Sequence, residues 1–236
     1  MITVAHIDFK AGQRLPLHKH SEGQILFARS GTVEVTTEGK VYLLPPSRLA
    51  WIPPERQHEL KFRTPTQLRT AYVPETILGQ ELPDTRIMQT TELFRALLLR
   101  IVEAKKLEAT FRENLEKLLI AELPTLPSEQ FHLTLPSDER AKRVALALLE
   151  TPSDTRNLED WASIAACSAK TLSRLFTNET GQTFKLWRRH VKLLSALDHL
   201  ETGKSVTETA HAVGFSTSSA FTEAFRLTFG YPPTKR

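Results

Sequence analysis

Leu158-Glu-Asp-Trp-Ala-Ser-Ile-Ala-Ala-Cys-Ser-Ala-Lys-Thr-Leu-Ser-Arg-Leu-Phe-Thr-Asn-Glu-Thr-Gly181 decides the fold, because the chain contains its pattern twice. The second copy runs from Val206 to Gly230 through Gly214-Phe215-Ser216. Each copy reads as a short apolar helix, a tight break with Ser, a second helix with polar positions, and a Gly stop. Trp161-Ala162 aligns with Thr209-Ala210, Leu172 with Phe221, Phe176 with Phe225 and Gly181 with Gly230, at an offset of 48 to 49 residues. A repeated helix-turn-helix is the economical explanation, since one helix of such a unit packs while the other shows its polar face to a DNA groove.

Between the copies, Thr183 to Thr202 reads as a long helix ended by Gly203, some twenty residues or roughly 30 Å. A connector of that size holds two reading helices about 34 Å apart, one turn of DNA, so that both enter successive major grooves. Before the first copy, Asp138-Glu-Arg-Ala-Lys-Arg-Val-Ala-Leu-Ala-Leu-Leu-Glu reads as an amphipathic helix with acids in its first turn.

The chain has 236 residues, enough for two domains, with 40% hydrophobic and 25% charged residues. A net charge of +4 permits nucleic-acid binding without demonstrating it; residues from Ser137 onward carry +3 of it, with 14 Lys and Arg against 11 Asp and Glu. Placement therefore matters more than total. No signal peptide and no membrane-spanning run is read, and one cysteine, Cys167, excludes an internal disulfide and fits a reducing cytosol. At the helix break of the first copy, Cys167 reads as buried filler in preference to a redox sensor.

Residues 2–73 read as short strands punctuated by Gly and Pro: Gln24–Arg29, Thr32–Thr37, Lys40–Leu44, Leu49–Ile52, Gln57–Phe62 and Leu68–Val73. This spacing suggests a small antiparallel barrel or sandwich, and Val33-Glu-Val35 between Ser30-Gly31 and Glu38-Gly39 marks a hairpin with one buried face. Within it, Gly12, His18-Lys-His20, Gln24 and Gly31 resemble the first cupin motif at every spacing, with Gln24 in the acid position. Pro53-Pro-Glu-Arg-Gln-His58 resembles the second motif more weakly, with Ser47 and Glu55 where glycines are usual. The resemblance covers roughly the first third of the chain and implies a degenerate cupin, a six- to eight-stranded β-barrel.

The spacing carries chemistry of its own. Residues i and i+2 of a strand share a face, so His18 and His20 can both point inward, and His58 on a neighbouring strand would bring three imidazoles together. Such a set ligates Zn, Ni, Cu or Fe. Gln24 removes a negative charge that would help to hold a divalent ion, though its amide oxygen can still ligate. The alternative is that these side chains line a cavity and bind an organic ligand or one another, with walls from Leu26, Phe27, Tyr42 and Trp51, half of which must face outward by alternation.

Pro74 to Pro83 reads as a connector. Thr90 to Lys105 has a helical period at positions 93, 94, 97, 98 and 101, and Glu108 to Leu123 repeats it with Phe111, Leu115, Leu118 and Leu119. These helices either pack on the barrel or pair with a second subunit, and a homodimer contact is the favoured reading. Pro124, Pro127 and Pro136 place a linker at 124–136. The expected organisation is a sensing and dimerising domain over 1–123 (barrel 1–75, helices 90–123), the linker, and a DNA-binding domain over 137–236 with units at 158–181 and 206–230. Overall this is a two-domain α+β fold, a cupin-like antiparallel β-barrel followed by an all-α domain.

The stretch 138–233 resembles the DNA-binding domain of the AraC/XylS transcription regulators. The resemblance lies in Leu172-Ser-Arg174-Leu-Phe176, Glu179-Thr-Gly181, Phe184-Lys-Leu-Trp187-Arg188, Ala210-His-Ala-Val-Gly214-Phe215-Ser216 and Phe221 to Pro233. A cupin-like barrel in front is usual in that family, and Trp51 to His58 resembles most a branch that includes a regulator of a nitroimidazole exporter. The resemblance implies Lys170, Ser173 and Arg174 as base or backbone contacts of the first unit, and Ser218, Ser219, Thr222 and Glu223 at the matching positions of the second. Arg suits bidentate pairing to guanine, whereas Glu223, where the family more often has Arg, repels phosphate and can only accept. Arg188, Arg189, Lys192 and Arg226 are candidate phosphate contacts. Trp187, Phe184, Phe215, Phe221 and Phe225 are assigned to core.

The expected function is a cytoplasmic, effector-responsive regulator binding double-stranded promoter DNA, with RNA polymerase as partner if it activates. The barrel would sense a small molecule or metal through His18, His20, Gln24 and His58. Two other readings remain: a cupin metalloenzyme fused to a DNA-binding domain, against which stand Gln24 and the lack of a second acid–base constellation, and a constitutive DNA-binding protein whose barrel only dimerises. No catalytic residue is assigned.

Overall fold

The computed structural model describes residues 1–78, 82–104, 106–129 and 132–233. The chain divides into two units, one of Met1–Glu38 with Tyr42–Gln130 and one of Gly39–Val41 with Phe131–Arg236.

In the first unit, β1 (Thr3–Phe9), β2 (Arg14–His18), β3 (Gly23–Ser30), β4 (Val33–Thr37), β5 (Lys40–Leu44), β6 (Arg48–Ile52), β7 (His58–Phe62) and β8 (Thr66–Val73) follow in succession. The six strands read from the sequence match β3 to β8 to within two residues, and β1 and β2 precede them. Glu38 and Gly39 join β4 to β5 with positive φ of 49° and 70°. Two left-handed residues match the twist of a tight hairpin, which is why Gly follows a polar residue there.

Beyond β8 lie α1 (Glu75–Leu78), β9 (Arg86–Gln89), α2 (Glu92–Glu103), α3 (Ala109–Glu122), a 3-10 turn at Leu123–Thr125, β10 (Ser128–Glu129) and β11 (Leu133–Thr134). The strands form two antiparallel sheets, ordered β1-β8-β3-β6-β9-β10 and β11-β5-β4-β7-β2, in place of one closed barrel. A strand has two edges, and those of β6 are taken by β3 and β9 and those of β5 by β4 and β11, so neither can close onto the other. The expected connector 74–83 contains α1, and its residues 79–81 lie outside the described residues, as does Lys105 at the end of the first expected helix. The expected linker 124–136 is also not a bare tether. It carries the 3-10 turn, β10 paired to β9 and β11 paired to β5. Prolines at 124, 127 and 136 interrupt the segment without preventing the pairing of the short stretches between them.

Alternation divides the strands cleanly. Leu26, Val33, Val35, Leu44, Ile52, Leu60, Phe62 and Leu68 face one another in one cluster. Ile25, Phe27, Leu49 and Trp51 point to the opposite face, where Phe94, Leu98, Ile101 of α2 and Leu119 of α3 cover them. Of the four apolar residues proposed as cavity walls, Leu26 and Tyr42 belong to the inner cluster and Phe27 and Trp51 to the helix-covered one. Phe94 is fully buried, and truncating such a side chain costs about 3–5 kcal/mol.

The second unit contains α4 (Glu139–Glu150), α5 (Leu158–Ile164), α6 (Ala169–Thr180), α7 (Phe184–Glu201), α8 (Val206–Ala212) and α9 (Ser218–Phe229). The duplication extends to the ends of the helices. Asn157 with Asp160 and Ser205 with Glu208 form reciprocal capping boxes, Ser168 and Thr217 cap the second helix of each unit, and Gly181 and Gly230 end it in the left-handed conformation. At the break, Cys167 N–H donates to Ala162 and Phe215 N–H to Ala210, at 3.0 and 2.8 Å. The residues between carry positive φ, Ala166 at 52° and Gly214 at 77°. Cys167 at this break is half-buried. Helix α7, capped by Thr183, packs against α6 on one side and α8 and α9 on the other. Trp187 stacks edge-on with Phe176 and donates from its indole to the Thr134 carbonyl at 2.8 Å. Glu179, near the end of α6, accepts from Ser137 N–H, Ser137 Oγ and Asp138 N–H at 2.7, 2.9 and 2.9 Å, closing the N-terminus of α4. These donors, Asp138 N–H foremost, hold its carboxyl below the usual carboxylate value. No helix among the described residues is long and apolar enough to cross a membrane.

Candidate functional site

One end of the space between the two sheets is apolar and the other polar. On β2 and β7, His18 stands directly opposite His58. His20 lies just past β2, and one ring nitrogen from each of the three imidazoles falls within 4.8 Å of the others. Ring centroids are 4.3 Å apart for His18–His58, 4.9 Å for His18–His20 and 5.4 Å for His20–His58. The sequence spacing thus brings all three together.

Hydrogen bonds to the backbone orient two of these rings. His18 Nδ1 lies 2.6 Å from the Pro16 carbonyl and His58 Nδ1 2.9 Å from the Arg56 carbonyl. A carbonyl only accepts, so each Nδ1 carries the proton and each Nε2 keeps its lone pair, the arrangement that a metal-ligating imidazole needs. Nε2 of His58 and of His20 is buried without a hydrogen-bond partner. Burial, outweighing the opposing bond to Arg56, drives the His58 pKa down from 6.5 to about 4. Burial and then the neighbouring His18 lower that of His20. Both rings are therefore neutral near pH 7.

Gln24 is 3% exposed and pairs across β3 and β8 with Tyr72. Its Nε2 donates to Thr70 Oγ1 and to the Tyr72 hydroxyl, each at 3.2 Å. The Thr70 hydroxyl spends its proton on the Ile25 carbonyl at 3.0 Å, so Thr70 can only accept from Gln24. That fixes the amide orientation and leaves Gln24 Oε1 buried without a partner. Tyr72 in turn meets the His20 ring edge-on at 5.0 Å. Thr70 and Tyr72 were not read as site residues, although they share the inward parity of Leu68. Unpartnered buried atoms on His20, His58 and Gln24, with His18 alongside, fit a divalent cation, because three imidazoles and one amide oxygen are a donor set for Zn, Ni, Cu or Fe.

The second candidate surface is made by α6 and α9. Lys170 and Arg174 are exposed on α6, with Ser173 half-buried between them, while Leu172 and Phe176 face the core. On α9, Ser219, Glu223 and Arg226 are exposed and Ser218 and Thr222 half-buried, beside a shallow groove of about 460 Å³ shared with Val206 and Thr207. Among the described residues, no hydrogen bond or ion pair ties down the side chains of Lys170, Arg174, Arg189 or Arg226.

Two expected phosphate contacts are otherwise engaged. Arg188 turns its guanidinium onto the carbonyls of Asp154 and Arg156, the latter at 2.5 Å, and Lys192 donates to the Gly214 carbonyl at 2.6 Å. Their place on α7 aims them at the loop 151–157 and at the second helix break, where backbone acceptors need donors. Arg189, one residue on, is exposed. With Lys185, which sequence reasoning missed, it borders a cleft of about 560 Å³ that also touches Thr155 and Phe215.

Comparison with known proteins identifies the two domains that carry these surfaces. Residues 4–150 match the family model of the AraC-like ligand binding domain and residues 161–235 that of a helix-turn-helix domain. The chain is 28% identical over 221 residues to the HTH-type transcriptional regulator NimR of Escherichia coli (strain K12), covering 92% of this chain and 80% of that protein. It is 34% identical over 125 residues to the HTH-type transcriptional regulator RipA of Corynebacterium glutamicum, covering 53% of this chain and 36% of that protein. Among solved structures, unsaturated fatty acid bound wild-type ToxT from Vibrio cholerae aligns with 98% of this chain and 93% of its own at 12% identity and a TM-score of 0.42. With a ligand-binding model over more than half its length and a helix-turn-helix model after it, this chain belongs to the AraC/XylS family of effector-responsive, sequence-specific DNA-binding transcription regulators.

Proposed function

We propose that the effector of this regulator is a divalent metal ion held by His18, His20 and His58, with the Gln24 amide oxygen as fourth donor. The observation that carries the reading is the set of buried polar atoms without partners, the acceptors His58 Nε2 and Gln24 Oε1 together with His20 Nε2. Such groups are costly to bury unless a hydrogen-bond donor or a cation meets them, and three imidazoles converging with an amide oxygen favour the cation. The domain acts as a receptor and not as a catalyst, as in the transcription regulators that it resembles. Lys170, Ser173 and Arg174 read promoter DNA from α6, Ser218, Ser219, Thr222 and Glu223 tune it from α9, and Arg189 and Arg226 meet phosphate. The protein works in the cytoplasm as a homodimer and contacts RNA polymerase where it activates.

Support for the dimer comes from α3, whose apolar stripe is split. Leu115 and Leu119 pack inward, while Phe111 and Leu118, seven residues apart and so on one face, remain 47% and 46% exposed.

A second reading has one observation in its favour. A cleft of about 750 Å³ lies over α3, lined by Ile2, Ile77, Ile120 and Ala121, and is of a size for an organic effector. Metal analysis of the purified chain, followed by binding to an operator selected from random duplexes with and without Zn, Ni, Cu or Fe, separates the two. The metal reading expects stoichiometric metal and an operator affinity that responds to it. His58→Ala should lose both while still binding DNA. A metal-free protein whose operator affinity no metal alters would overturn it and leave the α3 cleft as the effector site.

A further inference from the structure

We propose that the histidine site takes a small carboxylate anion together with its metal ion, and that Gln24 is the residue that makes the anion necessary. The inference rests on the metal reading above. Every ligand that the set can offer is uncharged: three imidazole nitrogens and an amide oxygen. A dication seated on them keeps its full charge in a site where His58 is 1% and Gln24 3% exposed. Uncompensated charge of that kind is expensive in a desolvated setting.

Among the described residues, no ionised group stands among the converging donors. Lys19 and Glu55 neutralise each other in a 2.5 Å ion pair. Half-buried Glu22 is felt by His20, yet the cluster whose ligand atoms lie within 4.8 Å of one another comprises His18, His20 and His58. The donor set itself thus brings no negative charge, and an anion from outside the chain can balance the ion it holds. The site is less covered on one side, where His18 and His20 are partly exposed, while His58 and Gln24 close the other. Transition metals accept more than four ligands in octahedral sites, so a carboxylate oxygen can add without displacing a protein donor.

Gln24 thus becomes a specificity-determining residue. An acid at that position would carry the compensating charge within the protein and favour metal alone. The amide favours metal and anion together, and the two must then raise each other's affinity by the same factor.

The test uses the full chain, Co(II) as a metal whose visible spectrum reports its ligands, and two probes of equal shape, acetate and acetamide, at matched ionic strength. Acetate should change the Co(II) spectrum and tighten Co(II) binding about 10-fold or more, and acetamide should do neither. Gln24→Glu should bind Co(II) more tightly without acetate and lose the response to it. If Co(II) binds, and His58→Ala removes it, but acetate acts no differently from acetamide, the proposal is overturned while the metal reading stands. If the wild-type chain takes up no Co(II), both fall.

Discussion

Exchanging the residues at the two helix breaks should move stability in opposite directions. Ala166 and Gly214 occupy equivalent points, each with positive φ and each followed by an N–H that closes back onto the first helix. The left-handed conformation costs a residue with a Cβ about 1–2 kcal/mol. Glycine forfeits about 0.4–1 kcal/mol of that advantage through the greater freedom of the unfolded chain. At the midpoints, Ala166→Gly should stabilise the second unit by about 0.8 kcal/mol. Gly214→Ala incurs the same difference with the opposite sign and adds crowding, since its Cβ would lie 3.1 Å from Lys192 Nζ and 3.4 Å from Ser153 Cα. Shifting Lys192 to relieve this weakens its bond to the Gly214 carbonyl, worth about 1 kcal/mol, for a total near 2 kcal/mol.

For a unit of about 100 residues these figures correspond to roughly 4 °C upward and 8 °C downward in Tm. Differential scanning calorimetry of the full chain reads both, the transition of the DNA-binding unit being the one that operator DNA raises. An Ala166→Gly variant no more stable than wild type, alongside a neutral Gly214→Ala, would refute the argument from backbone strain.

Arg174→Ala should weaken specific operator binding by about 1–3 kcal/mol, or about 5- to 150-fold, and relax preference at one base position; an unchanged footprint and selection profile would remove Arg174 from the reading surface. His190, whose pKa burial and then the Arg189 charge push down to about 4, should make the second unit pH-sensitive. Its neutral form is the folded one, so stability is full above pH 6.5 and falls as pH drops from there towards 4, by about 1–2 kcal/mol once the water that reaches this half-buried ring is allowed for. His190→Gln should flatten that slope in calorimetry between pH 7.5 and 4.5. Phe111→Glu with Leu118→Glu should convert dimer to monomer in analytical ultracentrifugation without unfolding the chain, since both side chains are about half exposed in the single chain, and Tm should fall only by what association supplied.

Much of this architecture is legible in residue order, for identifiable reasons. Strands β3 to β8 announce themselves through apolar runs between Gly and Pro, and inward Leu26 against outward Phe27 follows from alternation alone. Strands β1 and β2 are harder to see. They are largely exposed, so no apolar face marks them, and β2 contains Pro16. Strands β10 and β11, two residues each, exist only because β9 and β5 offer edges, information no local pattern holds. At the histidine site, spacing alone suggests convergence of His18, His20 and His58. The direction of the Gln24 amide depends on where a threonine 46 residues away donates its proton. Arg188 teaches the same lesson: its charge and helix suggest phosphate, and the carbonyls that occupy it belong to a loop more than 30 residues earlier.

The carboxylate of Glu179 has a mechanical consequence. Three donors from Ser137 and Asp138 converge on it, so the last turn of α6 cannot part from the first turn of α4 without losing all three. Helix α6 is therefore levered from its far end: a small rotation at Ser137, 42 residues before the carboxylate in the chain, would swing Lys170 near the opposite end and, by less, Arg174 at mid-helix. Loosening this clasp, by protonating Glu179 or replacing it, would disengage the lever while leaving every exposed side chain of α6 in place.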